Sequence, residues 1–222
     1  MPRDGTATRA RIQREAERLF ARRGLYQVTV REITEAAGQR NVSALNYHFG
    51  SREGLVDAIL VDHGDPIDVV RGELLAAVGR DARSRDLVAA LVVPYAANLT
   101  TPDGRDYLRI VAQLSGTFSR WRAGTNSGTG PFLLEILGIL EERPPDLPPE
   151  VRRERVVELI MLMTIAMAER ARAIESRRTP ELDERTFVAN LTDVLVGILD
   201  APLTQPASVV WPIPTPATQV RG

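Results

Sequence analysis

The sequence predicts an all-α fold, with an N-terminal three-helix helix-turn-helix head followed by a C-terminal helical body. Apolar residues recur at helical spacing along most of the chain, and strand-type alternation is scarce. Hydrophobic residues make up 44% and aromatics only 5% of the 222 residues, which suits a helical core. Glycines, prolines and capping residues divide the chain into segments of helical length. The organisation read from these signals is a helix-turn-helix domain over 1–50, a helical body over 51–201 and a proline-rich tail over 202–222.

The first helix is expected from about Thr8 to Arg23, with Ile12, Ala16, Leu19 and Phe20 on one face and Gly24 as its left-handed stop. Thr29 to Glu32 reads ThrValArgGlu, a capping box in which hydroxyl and carboxylate each satisfy an orphan amide. The short helix it opens turns Val30, Ile33 and Ala37 inward and ends at Gly38. Gln39 and Arg40 form a turn, Asn41 is the expected N-cap, and a third helix over Val42 to His48 buries Val42, Leu45 and Phe49. Two short helices joined by a glycine-containing turn, behind a longer supporting helix, make the helix-turn-helix pattern.

Ser51 should cap a fourth helix with Leu55, Ile59 and Leu60 inward, broken or kinked by HisGlyAspPro at 63–66. Further helices are expected at about 68–80, 84–99, 103–122, 131–142, 149–177 and 181–200. The breakers between them are ThrThrPro at 100–102, the glycine-rich stretch 124–130 and ProProAspLeuProPro at 144–149. After Ala201, prolines at 202, 206, 212, 214 and 216 predict an extended or disordered arm.

Charge and composition narrow the function classes. Residues 1–61 carry a net +3 and the remainder −4, a basic head on an acidic body that suits a polyanion at one end. The chain has no cysteine, so disulfides, thiolate metal sites and thiol nucleophiles are excluded. The charged, amphipathic N-terminus is no secretory signal and no membrane-spanning run is present, so a soluble, cytoplasmic protein is expected. An enzyme is not expected. His48 and His63 are the only histidines. His48 belongs to the head, and His63 in AspHisGlyAsp has no matching cluster for a metal or acid–base site. No phosphate loop or nucleophile elbow occurs, and neither metal nor cofactor is called for.

Gly24, Tyr26, Thr29, Val30, Ile33, Ala37, Gly38, Leu45, Tyr47, His48 and Phe49 together resemble the head signature of the tetracycline-repressor (TetR) family of transcriptional regulators. The stretch Ala36 to Leu55 is its most specific part. The resemblance covers about the first 60 residues, beyond which only length and helical character agree. From Gly38 to the HisPhe pair the chain is one residue longer than the commonest form, and its tyrosine falls directly before His48, with Asn46 in the usual tyrosine place.

A recognition helix needs short polar side chains facing the major groove and an apolar back. Val42, Ser43, Asn46 and Tyr47 are available to face DNA, Asn46 for an adenine edge and Ser43 for a base or phosphate. Val42 is shared with the core. Thr29, Tyr47, His48 and Arg52 are placed for phosphates, and Arg40 for either role.

In the body, Tyr107, Ile110, Val111, Leu114, Phe118 and Trp121 recur at helical spacing, and residues 156–168 are apolar almost all round. Residue for residue, both stripes read first as core. The sharper reading is that Tyr95, Tyr107, Phe118, Trp121, Met163 and Met167 line a ligand cavity, with Arg109 and Gln113 as polar hooks. The resemblance implies an effector pocket in this part of the body. It also implies a dimer interface on the last two helices, where Phe187, Leu191, Val194, Leu195 and Ile198 share a face, so that two heads read a palindromic operator. The resulting expectation is a ligand-responsive regulator, most often a repressor, that binds double-stranded DNA as a homodimer and is released by a small apolar molecule. The alternative is control by a protein partner, for which the tail with Trp211 is the candidate docking segment.

Overall fold

A computed structural model of the chain describes residues 3–115, 130–176 and 179–204. Among them every regular element is helical: α1 (Arg3–Arg23), α2 (Val30–Ala36), α3 (Ser43–Phe49), α4 (Arg52–Val78), α5 (Ser84–Ala96) with a 3-10 turn at Ala97–Thr100, α6 (Pro102–Leu114), α7 (Pro131–Glu141), α8 (Pro149–Glu175) and α9 (Glu184–Asp200). No described helix is long and apolar enough to cross a membrane.

In the head, Ile12, Ala16 and Phe20 of α1, Ile33 of α2, Ala37, Leu45 of α3, and Leu55 and Ile59 of α4 are fully buried in one cluster. The caps follow the sequence. Gly24 turns at a φ of 103°, and its amide donates to the Phe20 carbonyl. The capping box closes on both sides, Glu32 N–H to Thr29 Oγ1 at 3.3 Å and Thr29 N–H to Glu32 Oε2 at 2.8 Å. The Thr29 amide and hydroxyl and the Arg23 guanidinium hold the Glu32 carboxyl at about 2. Ser51 Oγ accepts from the Gly54 amide at 3.0 Å, the expected start of α4.

Two details of the third helix differ from expectation. It begins at Ser43, with helical Val42 as its cap residue, and the Asn41 carboxamide accepts from the Ser43 amide at 2.9 Å one residue earlier than a helix cap would. Val42 is 47% exposed and so is not core; Leu45 is the fully buried residue of this short helix, and Phe49, expected buried, is half-buried beside Ala44 against the cluster.

The largest correction concerns α4, which runs unbroken through HisGlyAspPro and absorbs the helix expected at 68–80. Pro66 removes one amide donor, yet tertiary packing holds both halves, with Ile59 and Leu60 buried before it and Ile67, Arg71 and Leu75 after it. His63 does not mark a break either. It stacks on Tyr107 with ring centroids 4.7 Å apart, and its Nε2 lies 3.6 Å from Glu17 of α1. Gly72 lets α7 come close, for a Cβ there would sit 2.6 Å from the Phe132 ring.

Helix α7 has Gly130 at its N-cap and so no side-chain cap of its own. The missing acceptor comes from α4, where buried Asp68 receives the Phe132 and Leu133 amides at 3.1 and 2.8 Å. A carboxylate at a helix N-terminus also complements the dipole. Helices α6 and α8 are joined by a charge cluster in which buried Arg109 lies 2.7 Å from Glu175 and 3.4 Å from buried Asp106.

Helix α9 packs on α5 and α8. Leu191 and Leu195, expected at a subunit interface, are instead buried within this chain, whereas Val194 is 45% exposed, and Phe187 and Ile198 are half-buried. The apolar face is wider than one partner needs, and the chain's own body takes its centre. Residues 201–204 are exposed without regular structure, and the rest of the proline-rich tail, Trp211 included, lies outside the described residues.

Burial, and then the Glu175 charge, push the Asp106 carboxyl up to about 6 despite Arg109. A raised folded-state value means that Asp106 contributes most below its ordinary value near 3.8 and that this contribution is lost as pH rises through about 6. Asp106→Asn should therefore gain stability relative to the wild type as pH rises across that window, read as urea midpoints. A difference independent of pH contradicts this.

Candidate functional site

Two sites emerge, one on the head surface and one inside the body. On the head, α3 buries Leu45 and turns Ser43, Asn46 and Tyr47 to solvent, Tyr47 with 85% of its surface free. Val42 and Arg40 flank it, both exposed. His48 is half-buried and meets Tyr47 edge-on with ring centroids 4.9 Å apart. The result is a short helix with a polar outer face, no acidic residue, and a rigid apolar back. Such a face suits hydrogen bonding to base edges and phosphates.

Two residues assigned to phosphates by sequence have other engagements. The Thr29 hydroxyl belongs to the capping box and donates to Glu32 at 2.8 Å. The Arg52 guanidinium is half-buried, donates to the Leu25 carbonyl and lies over the Phe20 ring at 5.1 Å. It acts as a strut between α4 and the loop after α1.

Inside the body, a cavity of about 40 Å³ is lined by residues that include Leu60, Arg71, Tyr95, Tyr107, Met163 and Thr164. Tyr95, Tyr107 and Met163 were expected there, and the structure brings them together. Met167, fully buried one turn along α8, does not line it. Arg109 is turned to Asp106, Glu175 and the Ala171 carbonyl. Phe118 and Trp121 lie outside the described residues.

Arg71 was missed by the sequence reading. It sits four residues from both Ile67 and Leu75, on the buried side of α4, and an arginine at that register was the available signal. It is 6% exposed, its Nη1 is 3.8 Å from Asp68 Oδ1, and its Nε has no hydrogen-bond partner. Burial lowers its pKa, opposed by Tyr107, Asp68 and Tyr95. Burial raises the Tyr107 phenol to about 12 and the Tyr95 phenol well above its ordinary value, so both remain protonated donors.

Gln113, expected as a ligand hook, instead grips the head. Its Nε2 donates to the Phe20 carbonyl at 3.1 Å, and its Oε1 accepts from the Leu25 amide. Leu25 is thus held at its amide by α6 and at its carbonyl by Arg52 of α4. Gln113→Leu leaves the Leu25 amide unpaired. It should cost about 1–3 kcal/mol in stability and speed hydrogen exchange at that amide. Unchanged exchange contradicts the grip.

Residues 12–59 match the family of bacterial regulatory proteins called the tetR family. Over 82 residues the chain is 42% identical to the HTH-type transcriptional repressor KstR2 of Rhodococcus jostii (strain RHA1), an alignment spanning 37% of this chain and 39% of that protein. Among solved structures, the fold resembles NalD, the secondary repressor of the MexAB-OprM multidrug efflux pump in Pseudomonas aeruginosa, with a TM-score of 0.58 at 20% identity over 89% of this chain and 98% of that one. It also resembles the probable transcriptional regulatory protein RHA5900, with a TM-score of 0.52 at 23% identity over 89% of this chain and 100% of that one.

Proposed function

We propose that the chain, whose residues 12–59 match the tetR family of bacterial regulatory proteins, is a repressor of that family that binds a palindromic operator as a homodimer and is released by a small, largely apolar molecule in the body. The observation that carries the DNA-binding part is the exposed polar face of α3 on a head matched by the family over residues 12–59. Asn46 and Ser43 are the base-reading candidates, and Arg40, Val42, Tyr47 and His48 flank them. Thr29 and Arg52 support the head from within.

The surface proposed for dimerisation is what the chain leaves uncovered on α8 and α9. Met161, Leu162 and Ile165 lie on one face of α8, and Val194 stands on α9, all at least 36% exposed. Phe187 and Ile198, half-buried, border it. Pairing two copies there would place two heads on one symmetry axis.

Release follows if the effector favours a body form in which the heads stand at the wrong spacing. Operator half-sites lie about 34–36 Å apart, so a drift of a few ångströms breaks simultaneous docking. Helix α4 starts in the head and runs to the cavity wall, and α6 carries Tyr107 at the cavity and Gln113 on the head. The present cavity falls short of the roughly 300–1,000 Å³ of a typical ligand pocket. An effector must therefore open it, and that opening is the displacement α4 and α6 would transmit.

Selection from random duplex DNA should return an inverted repeat with half-sites about one helical turn apart. Asn46→Ala should then cost about 1–3 kcal/mol and relax preference at one base pair. No enriched sequence would overturn the regulator reading, and an unchanged preference would remove Asn46 from base reading. Val194→Arg should give folded monomers with weakened operator binding, read by light scattering. A variant that stays dimeric would move the interface elsewhere.

A further inference from the structure

The cavity wall carries two unmet hydrogen-bond donors and a buried positive charge. Arg71 makes no hydrogen bond to a described residue, and the Tyr95 hydroxyl, on a side chain 3% exposed, has no partner. Asp68 offsets the charge only at 3.8 Å, too long for a hydrogen bond, and both its oxygens accept amides of α7, so it leaves the Arg71 donors open. Two other hydroxyls of the wall are already engaged, Thr164 with the Ile160 and Met161 carbonyls and Ser115 with that of Ala112. The apolar part of the lining includes Leu60, Val111, Ile160 and Met163.

A buried cation with open donors is costly in an apolar wall unless something supplies negative charge. A cationic ligand would be repelled, and a neutral one would leave the open donors without a charged acceptor. We infer that the effector is an amphipathic anion of the carboxylate class, its head group held by Arg71 and the Tyr95 hydroxyl and its apolar part lying against Leu60, Val111, Ile160 and Met163. This rests on the reading of the cavity as the effector site. The existing 40 Å³ accommodates about three water-sized groups, enough for a carboxylate but not for its tail. Flexible Met163 is the side chain best able to make way.

The test uses the full chain, decanoate and 1-decanol as probes, and calorimetric titration. Decanoate should bind about tenfold tighter than 1-decanol, the factor that about 1.4 kcal/mol of added charge assistance gives. Arg71→Met and Tyr95→Phe should each erase most of that preference. Tyr95→Phe removes a hydroxyl without a partner, so it should melt no lower than the wild type, which separates lost recognition from lost folding. Met163→Phe, which fills the cavity, should weaken both probes. If the two probes bind equally, or if the preference survives both Arg71→Met and Tyr95→Phe, while Met163→Phe still blocks binding, the anionic assignment is overturned and the effector site stands. If neither probe binds, or binding ignores Met163→Phe, the effector-site reading falls and the assignment falls with it.

Discussion

The body is organised around one buried guanidinium. Arg71 sits on the core side of α4 with Asp68 one turn before it, and Asp68 is tied to the first amides of α7. That arrangement fixes α7 against α4, a contact tightened where Phe132 lies on Gly72. It also leaves the charge of Arg71 only partly answered and facing a cavity. A wholly apolar residue would pack there at lower cost, since buried ion pairs are seldom the most stable solution. An incompletely paired cation in a cavity wall is better explained by what enters the cavity than by what holds the fold.

The same two helices that wall the cavity also hold the head. Leu25 lies just after α1, and its backbone is gripped by Gln113 of α6 and Arg52 of α4. Tyr107, on α6, stacks on His63 of α4, which approaches Glu17 of α1. Gln13 extends this seam, donating to Glu17 at 3.2 Å and to Asp62 at 2.7 Å. These are short-range, directional contacts, so α1 cannot keep them all if α4 and α6 move apart. Displacement at the cavity therefore has a physical route to the head without a ligand touching it.

Most of the head was legible in the sequence because its signals are local. Thr29 and Glu32 cap a helix across three residues, Ser51 caps another, and Gly24 ends a third. The failures came where tertiary packing overrode local preference. HisGlyAspPro reads as a breaker, yet packing on both sides carries α4 through it. Gly130 shows no cap because its acceptor, Asp68, is 62 positions earlier in the chain. Periodicity placed Leu191 and Leu195 on a sticky face but could not say whether this chain or a second copy covers it. Arg109 and Gln113 share the stripe with Tyr107, and only the fold shows one committed to Glu175 and the other to the head. Arg71 went unread because an arginine on a helix is ordinarily solvated, and its burial depends on α5, α6 and α7 packing on α4.

The most direct measurement follows the Arg71 guanidinium itself, through its Nε–H resonance in a nitrogen–proton correlation spectrum, assigned by its disappearance in Arg71→Met. The account predicts a resonance that shifts downfield when decanoate is added, as the open donor gains a charged acceptor, and that barely moves with 1-decanol. A resonance unmoved by decanoate, while neighbouring cavity methyl groups respond, would show that Arg71 is not the anchor and would contradict the account.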